Sequence, residues 1–223
     1  MRAEVSAERS AARARIYRLM ARLFRSPDAP VVEALRQQDI PALRDSLVSL
    51  GASRELLEPA ERLGEALACA SVEELAREYE QSFEPFGGQS LPPNETAHAP
   101  STPQESLTRT FELADIAGFY RAFGVEMMPG GERADHIAAE LEFMHLLAVK
   151  EGLADTGGQS ENAAICRDAS ASFLRDHLGR WCPDFGAQLA RDGHGEVYRA
   201  AGALLSRFVE LDLASASSGA SAQ

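Results

Sequence analysis

Two pairs of the form Glu-x-x-His, Glu95/His98 and Glu142/His145, are the sharpest candidates for chemistry in this sequence. Di-iron bundle proteins take ligands from such pairs, because a three-residue spacing sets a carboxylate and an imidazole on one helix face. A complete site also needs both pairs on inward-facing helices and two further helical glutamates. Glu95 and His98 directly follow Pro92-Pro93, where proline breaks helical structure. Glu142 and His145 fall away from the apolar stripe Ile137, Leu141, Met144 and Ala148, so they should face solvent. A metal-dependent helical enzyme built from Glu140, Glu142, His145, Glu95 and His98 is therefore the alternative reading. The expectation is no catalytic residue, no metal and no other cofactor.

Asp135-His136 is the second candidate. Asp135 is expected in the first turn of a helix over about 133–152, where negative charge complements the helix dipole. His136 stands four residues before Glu140, a spacing that allows the two to pair. Both sit beside Phe143 and Leu147, which sets charge at the edge of an apolar face. No serine or cysteine nucleophile accompanies the dyad, so hydrolysis lacks its central group. The plain structural reading is a capped helix with a satisfied histidine. Nucleotide binding has no motif behind it, neither GxxxxGK[ST] nor a strand-linked GxGxxG. Gly87-Gly88 and Gly130-Gly131 read as turns, and the His177/Trp181 pair reads as packing at a helix end.

The elements that must position these residues are all helical. Ile16, Tyr17, Leu19, Met20, Leu23 and Phe24 give the first helix, about Ser6 to Arg25, its apolar period, and Ser26-Pro27 ends it. Short helices are expected over 30–37 and 41–50, then one capped by Ser53 that runs to Cys69. Ser71 and Glu74 form a capping box for a helix that ends near Phe83. Thr102-Pro103-Gln104-Glu105 forms another, for a helix that stops at Gly124. Later helices are expected over 133–152, 161–178, 183–191 and 195–213, with glycines and Pro183 as breaks. Between the two boxes lies Glu84 to Ser101, whose Gly and Pro content speaks against regular structure. A loop of that length is functional or disordered. The fold class is all-α, one globular domain of roughly nine helices over 11–213. Residues 1–10 are read as a lead-in, and the low-complexity tail 214–223 as disordered.

Composition bounds the partners. The 223 residues carry a net charge of −12, which repels nucleic acid and anionic lipid and favours a basic peptide. No stretch approaches the roughly 18 apolar residues of a membrane span, and no secretory signal opens the chain. Cys69, Cys166 and Cys182 form no CxxC pair, so they are expected to be buried free thiols of a cytoplasmic protein.

Two stretches together carry a resemblance. Tyr79-Glu-Gln-Ser-Phe83-Glu-Pro85-Phe86 leads into Pro92-Pro93-Asn94-Glu95-Thr96, and Glu132-Arg-Ala-Asp135-His136-Ile-Ala-Ala-Glu140-Leu141-Glu-Phe143-Met144 follows. With Leu113 to Val125 between them, this order resembles the TorD/DmsD/NarJ family of cytoplasmic molybdoenzyme chaperones, in particular the branch serving nitrate, selenate, chlorate, ethylbenzene and dimethylsulfide oxidoreductases. The family's proline before Asp-His is Ala134 here. The resemblance implies a TorD-like helical bundle that holds the catalytic subunit of a molybdenum-cofactor oxidoreductase, with its twin-arginine signal peptide as a second ligand. It implies no nucleic acid and no membrane insertion, and it is compatible with a monomer or with a dimer that exchanges helices. The client-binding residues it implies are Tyr79, Phe83, Phe86, Pro93, Glu95, Glu132, Asp135, His136 and Glu140.

Overall fold

The first helix, α1 (Arg2–Leu23), owes its length to alanine and arginine, both strong helix formers. Residues 2–10, expected as a lead-in, are its first turns, and Ser10 is buried. The structure, a computed structural model, describes residues 2–83, 91–98, 105–128 and 131–220. Among these there is no β-strand. The remaining helices are α2 (Ala29–Ala34), α3 (Ile40–Ser49), α4 (Arg54–Cys69), α5 (Val72–Phe83), α6 (Glu105–Ala122), α7 (Ile137–Thr156), α8 (Ser160–Phe173), α9 (Gly179–Asp192) and α10 (Gly195–Ala220). None is long and apolar enough to cross a membrane.

A π turn at Leu35–Asp39 joins α2 to α3, and another at Leu174–Leu178 joins α8 to α9. The described residues therefore form eight continuous rods, where sequence punctuation suggested roughly nine helices. Pro183, expected to separate two helices, lies inside α9. A proline is tolerated there because the adjoining π turn already interrupts the regular ladder. The wide turns also have a use, since each delivers a polar side chain to the interior. Asp39 receives Arg18 Nε at 3.0 Å and Arg22 Nη1 at 2.5 Å, and His177 is buried in the second turn.

Where the sequence carried explicit caps, the helix ends match them. Glu74 N donates to Ser71 Oγ at 3.2 Å, and Ser71 N donates to Glu74 Oε2 at 2.8 Å. Gly124 adopts φ 77°, and Val125 N closes the end of α6 on Tyr120 O at 2.9 Å. The box at Thr102 falls outside the described residues. The expected disordered tail is helical as far as Ala220, and the Ser215 and Ser217 hydroxyls bond back to the Leu211 and Leu213 carbonyls.

The long rod α1 lies along α7, α7 packs on α8, and α10 packs on both α9 and α4. The α9–α10 crossing is backbone to backbone. A Cβ on Gly186 would stand 2.7 Å from Gly202 O, closer than any side chain permits. Arg13 ties three of these rods together, since it reaches Asp212 at 2.8 Å and Glu151 at 3.1 Å. Tyr17 adds a 2.5 Å bond to the same Asp212.

Candidate functional site

Residues 91–98, irregular by sequence, form an ordered strap across the N-terminal end of α7. Leu91 N donates to Ser82 O at 2.9 Å, Glu95 N to Asp135 O at 2.9 Å, and Ile137 N to Pro93 O at 2.8 Å. Asn94 and His136 form an isolated antiparallel bridge, and Glu95–Ala97 close a single 3-10 turn. The expectation of no regular structure is thus corrected over this short piece. The strap's backbone groups find partners in the turn before α7, as buried backbone requires.

Asp135 pins that turn. Its carboxylate is fully buried and accepts from Thr96 Oγ1 at 2.6 Å, Thr96 N at 3.3 Å, Arg133 Nε at 2.9 Å and Arg133 Nη2 at 3.0 Å. Burial alone would raise its pKa, but the bonds from Arg133 and Thr96 outweigh burial and hold it below the usual carboxylate range. The sequence placed Asp135 in the first helical turn, exposed to a ligand's arginine. It stands two residues before α7, and the arginine it grips is this chain's own.

His136 is the N-cap of α7, and its Nδ1 accepts from Ala138 N at 3.2 Å. The expected pairing with Glu140 is not made. Nε2 faces Glu132 instead, at 3.7 Å. Burial lowers the His136 pKa against the pull of Glu132 and Asp135. The neutral ring is also the form whose Nδ1 can cap a helix, so both effects favour it.

Glu140 turns inward. It is fully buried, and Trp181 Nε1 donates to its Oε2 at 3.3 Å. Burial, reinforced by the nearby charge of Glu95, raises its pKa well above the usual range and favours the protonated form. Glu95 is buried beside it and meets His177 Nδ1 at 3.3 Å. His177 Nε2 reaches Asp115 Oδ2 at 3.1 Å on the far side. Burial would lower the His177 pKa, but the bonds and charges of Glu95 and Asp115 prevail and raise it. His98 completes the junction by stacking on Trp181, with ring centroids 4.9 Å apart, while its Nε2 lies 2.7 Å from Pro92 O.

The two Glu-x-x-His pairs do not converge. Glu142 is exposed, as expected, but His145 is half-buried against α1, with Nδ1 2.8 Å from Ala14 O. Among the described residues, no group of three or more His, Cys, Asp or Glu side chains is arranged to hold a metal ion.

Of the nine residues implied as client contacts, Tyr79 and Phe83 belong to the core, in edge-on contact with each other at 5.0 Å and with Tyr198 at 6.0 and 5.4 Å. Glu95, Asp135, His136 and Glu140 are the buried struts just described. Pro93 is half-buried, and Phe86 lies outside the described residues. Of the eight described residues Glu132 alone is exposed, and it lines a groove of about 470 Å³. Tyr120, Val125, Phe143 and Leu146 form the apolar part of the groove, with Met127 and the 78% exposed Met128 on one edge. Glu126, Glu132 and Glu142 bring three exposed carboxylates to it, against a single arginine, Arg25. Sequence reasoning passed over Met127, Met128 and Glu126. The signal available was an unexplained Met-Met in a loop, since flexible, polarisable methionine suits adaptable binding surfaces.

Comparison with known proteins places the chain in a family. Residues 51–187, which contain the strap, α6 and α7, match the sequence family described as nitrate reductase delta subunit. The chain is 30% identical over 175 residues to the chlorate reductase assembly chaperone protein of Ideonella dechloratans, covering 78% of this chain and 74% of that one. It is 27% identical over 195 residues to the selenate reductase assembly chaperone protein of Thauera selenatis, covering 87% and 84%. The perchlorate reductase assembly chaperone protein of Dechloromonas aromatica (strain RCB) is 36% identical over 102 residues, and that match spans 45% of either chain.

Proposed function

The chain belongs to the nitrate reductase delta subunit family, and on that premise we propose that it is a cytoplasmic assembly chaperone for the catalytic subunit of a molybdenum-cofactor oxidoreductase. It holds the subunit before the cofactor is in place and catalyses no reaction itself. The reading is supported by three relatives named as reductase assembly chaperones.

The observation that carries the reading is the groove beside the N-terminal half of α7. An apolar floor with two exposed methionines fits an amphipathic or apolar segment, as helix-in-groove recognition requires. Three exposed glutamates around it fit flanking arginine or lysine, through charge-assisted contacts and steering. A segment that is both basic and apolar, such as a twin-arginine signal peptide, satisfies both features. The net charge of −12 acts in the same direction. The strap's part is to hold the 131–136 turn, and with it Glu132, at the edge of the groove.

The test is capture of the tagged full-length chain from its native cells, with bound polypeptides identified by mass spectrometry and metal content measured. The expected partner is a molybdoenzyme catalytic subunit poor in molybdenum, recovered by the wild type and depleted in a variant with Met127 and Met128 changed to Asp. Equal recovery by both chains, or a partner already loaded with cofactor, overturns the reading.

A further inference from the structure

The junction under the strap buries more acid than its role as a brace requires. Glu95 from the strap and Asp115 from α6 converge on a single cation, His177 of the π turn, and Glu140 from α7 lies behind Glu95. Glu140 Oε1 has no partner among the described residues, and Glu140 interacts with Glu95. Two ionised carboxylates in that position would repel each other in a poorly hydrated site. A proton on Glu140 removes the repulsion and supplies an O–H that Glu95 can accept. The second proton belongs to His177, whose two ring nitrogens both face carboxylates and so both act as donors.

We infer that residues 91–98 are a latch closed by the protons held at Glu140 and His177, so that loss of those protons at higher pH frees the strap from α7 and from the α8–α9 rod. The inference concerns the chain alone, and its failure leaves the proposed function standing.

Every charged neighbour is consistent with this direction. Glu95 and Asp115 flank the imidazole and Glu140 adjoins Glu95, while Glu112, Asp176 and Arg180 line the open groove on its Asp115 side. The buried Cys182 thiol and Tyr120 hydroxyl are pushed upward, first by burial and then by Glu140 and Glu95, so both stay neutral. Arg133 is occupied by Asp135. Loss of the His177 proton therefore leaves Glu95 with no buried cation. A histidine whose folded pKa lies above 6.5 stabilises in full below 6.5, and that contribution disappears as the pH climbs through the folded value. Glu140, raised above 4.5, has the same sign.

The chain carries its own reporter, because Trp181 is its single tryptophan and lies buried under His98. Full-length protein is followed from about pH 6 to about pH 9 by Trp181 emission and by hydrogen exchange of strap peptides, corrected for intrinsic rates. Strap protection should fall about tenfold with a midpoint above 6.5, and emission should shift to longer wavelength with it, while α1 and α10 stay protected. Asp115→Asn alters a 65% exposed side chain, so the fold should be kept, and it removes one of the two carboxylates that hold the His177 proton. The midpoint should then move down by about half a pH unit or more. A brace with no titrating role predicts no such movement. Flat protection across the range in wild type, or a midpoint unmoved by Asp115→Asn, overturns the latch.

Discussion

In the strap junction every carboxylate is engaged by the chain itself. Asp135 is surrounded by Thr96 and Arg133, Glu95 meets His177, and Glu140 meets Trp181. In the groove the reverse holds, since Glu126 and Glu142 are exposed and have no ion pair among the described residues. The two regions share the 131–136 turn, yet Asp135, Glu95 and Glu140 are buried in one and Glu126, Glu132 and Glu142 are exposed in the other. The residue types that look most functional, a buried Asp-His and a proline-rich strap, brace the proposed binding surface, while plainer glutamates and methionines form it.

Substitutions can break this comparison. The largest loss of stability is expected from Asp135→Ala, which strands the buried Thr96 hydroxyl and releases the strap. It should cost about 2–4 kcal/mol in denaturant unfolding. A cost below about 0.5 kcal/mol would mean that the turn is held by something else. Ser71→Ala removes a cap remote from both regions and should cost about 1 kcal/mol while client affinity stays at the wild-type value. Glu140→Gln should be the mildest, within about 1 kcal/mol at neutral pH, because a protonated carboxyl and an amide have similar shape and both donate. A larger cost would show that Glu140 is ionised in the folded state. Acid should act through the other histidine. His136, with its pKa lowered by burial, stabilises in full above 6.5, and that contribution is lost as the pH falls through its folded value. Melts at stepped pH in His136→Asn, a cap that does not titrate, should lose that acid-side decline.

Helix positions were legible wherever a local rule governs. The Ser71 box, the Gly124 end and the apolar period of α1 need neighbours no more than a few residues away. The junction was not legible, because Glu95 and His177 are 82 positions apart and no local period directs a side chain in an irregular strap. Reading Asp135 and His136 as helical residues put them on the wrong face. They precede the helix, so their directions follow the turn rather than the 3.6-residue repeat. Punctuation also misled at Pro183, where a π turn upstream absorbs the break, and at the alanine- and serine-rich tail, whose composition is compatible with helix once α10 has begun.

The most direct test of the division between brace and surface is calorimetric affinity for the captured catalytic subunit, measured for two chains side by side. One carries Glu126→Lys, Glu132→Lys and Glu142→Lys, and the other carries Asp135→Asn. The groove variant should bind about tenfold or more weakly with its melt unchanged, because like charges now meet the basic segment. Asp135→Asn, as far as it stays folded, should bind as the wild type does. Unchanged affinity in the groove variant, with binding lost in a fully folded Asp135→Asn, would contradict the account and return the site to the buried motif.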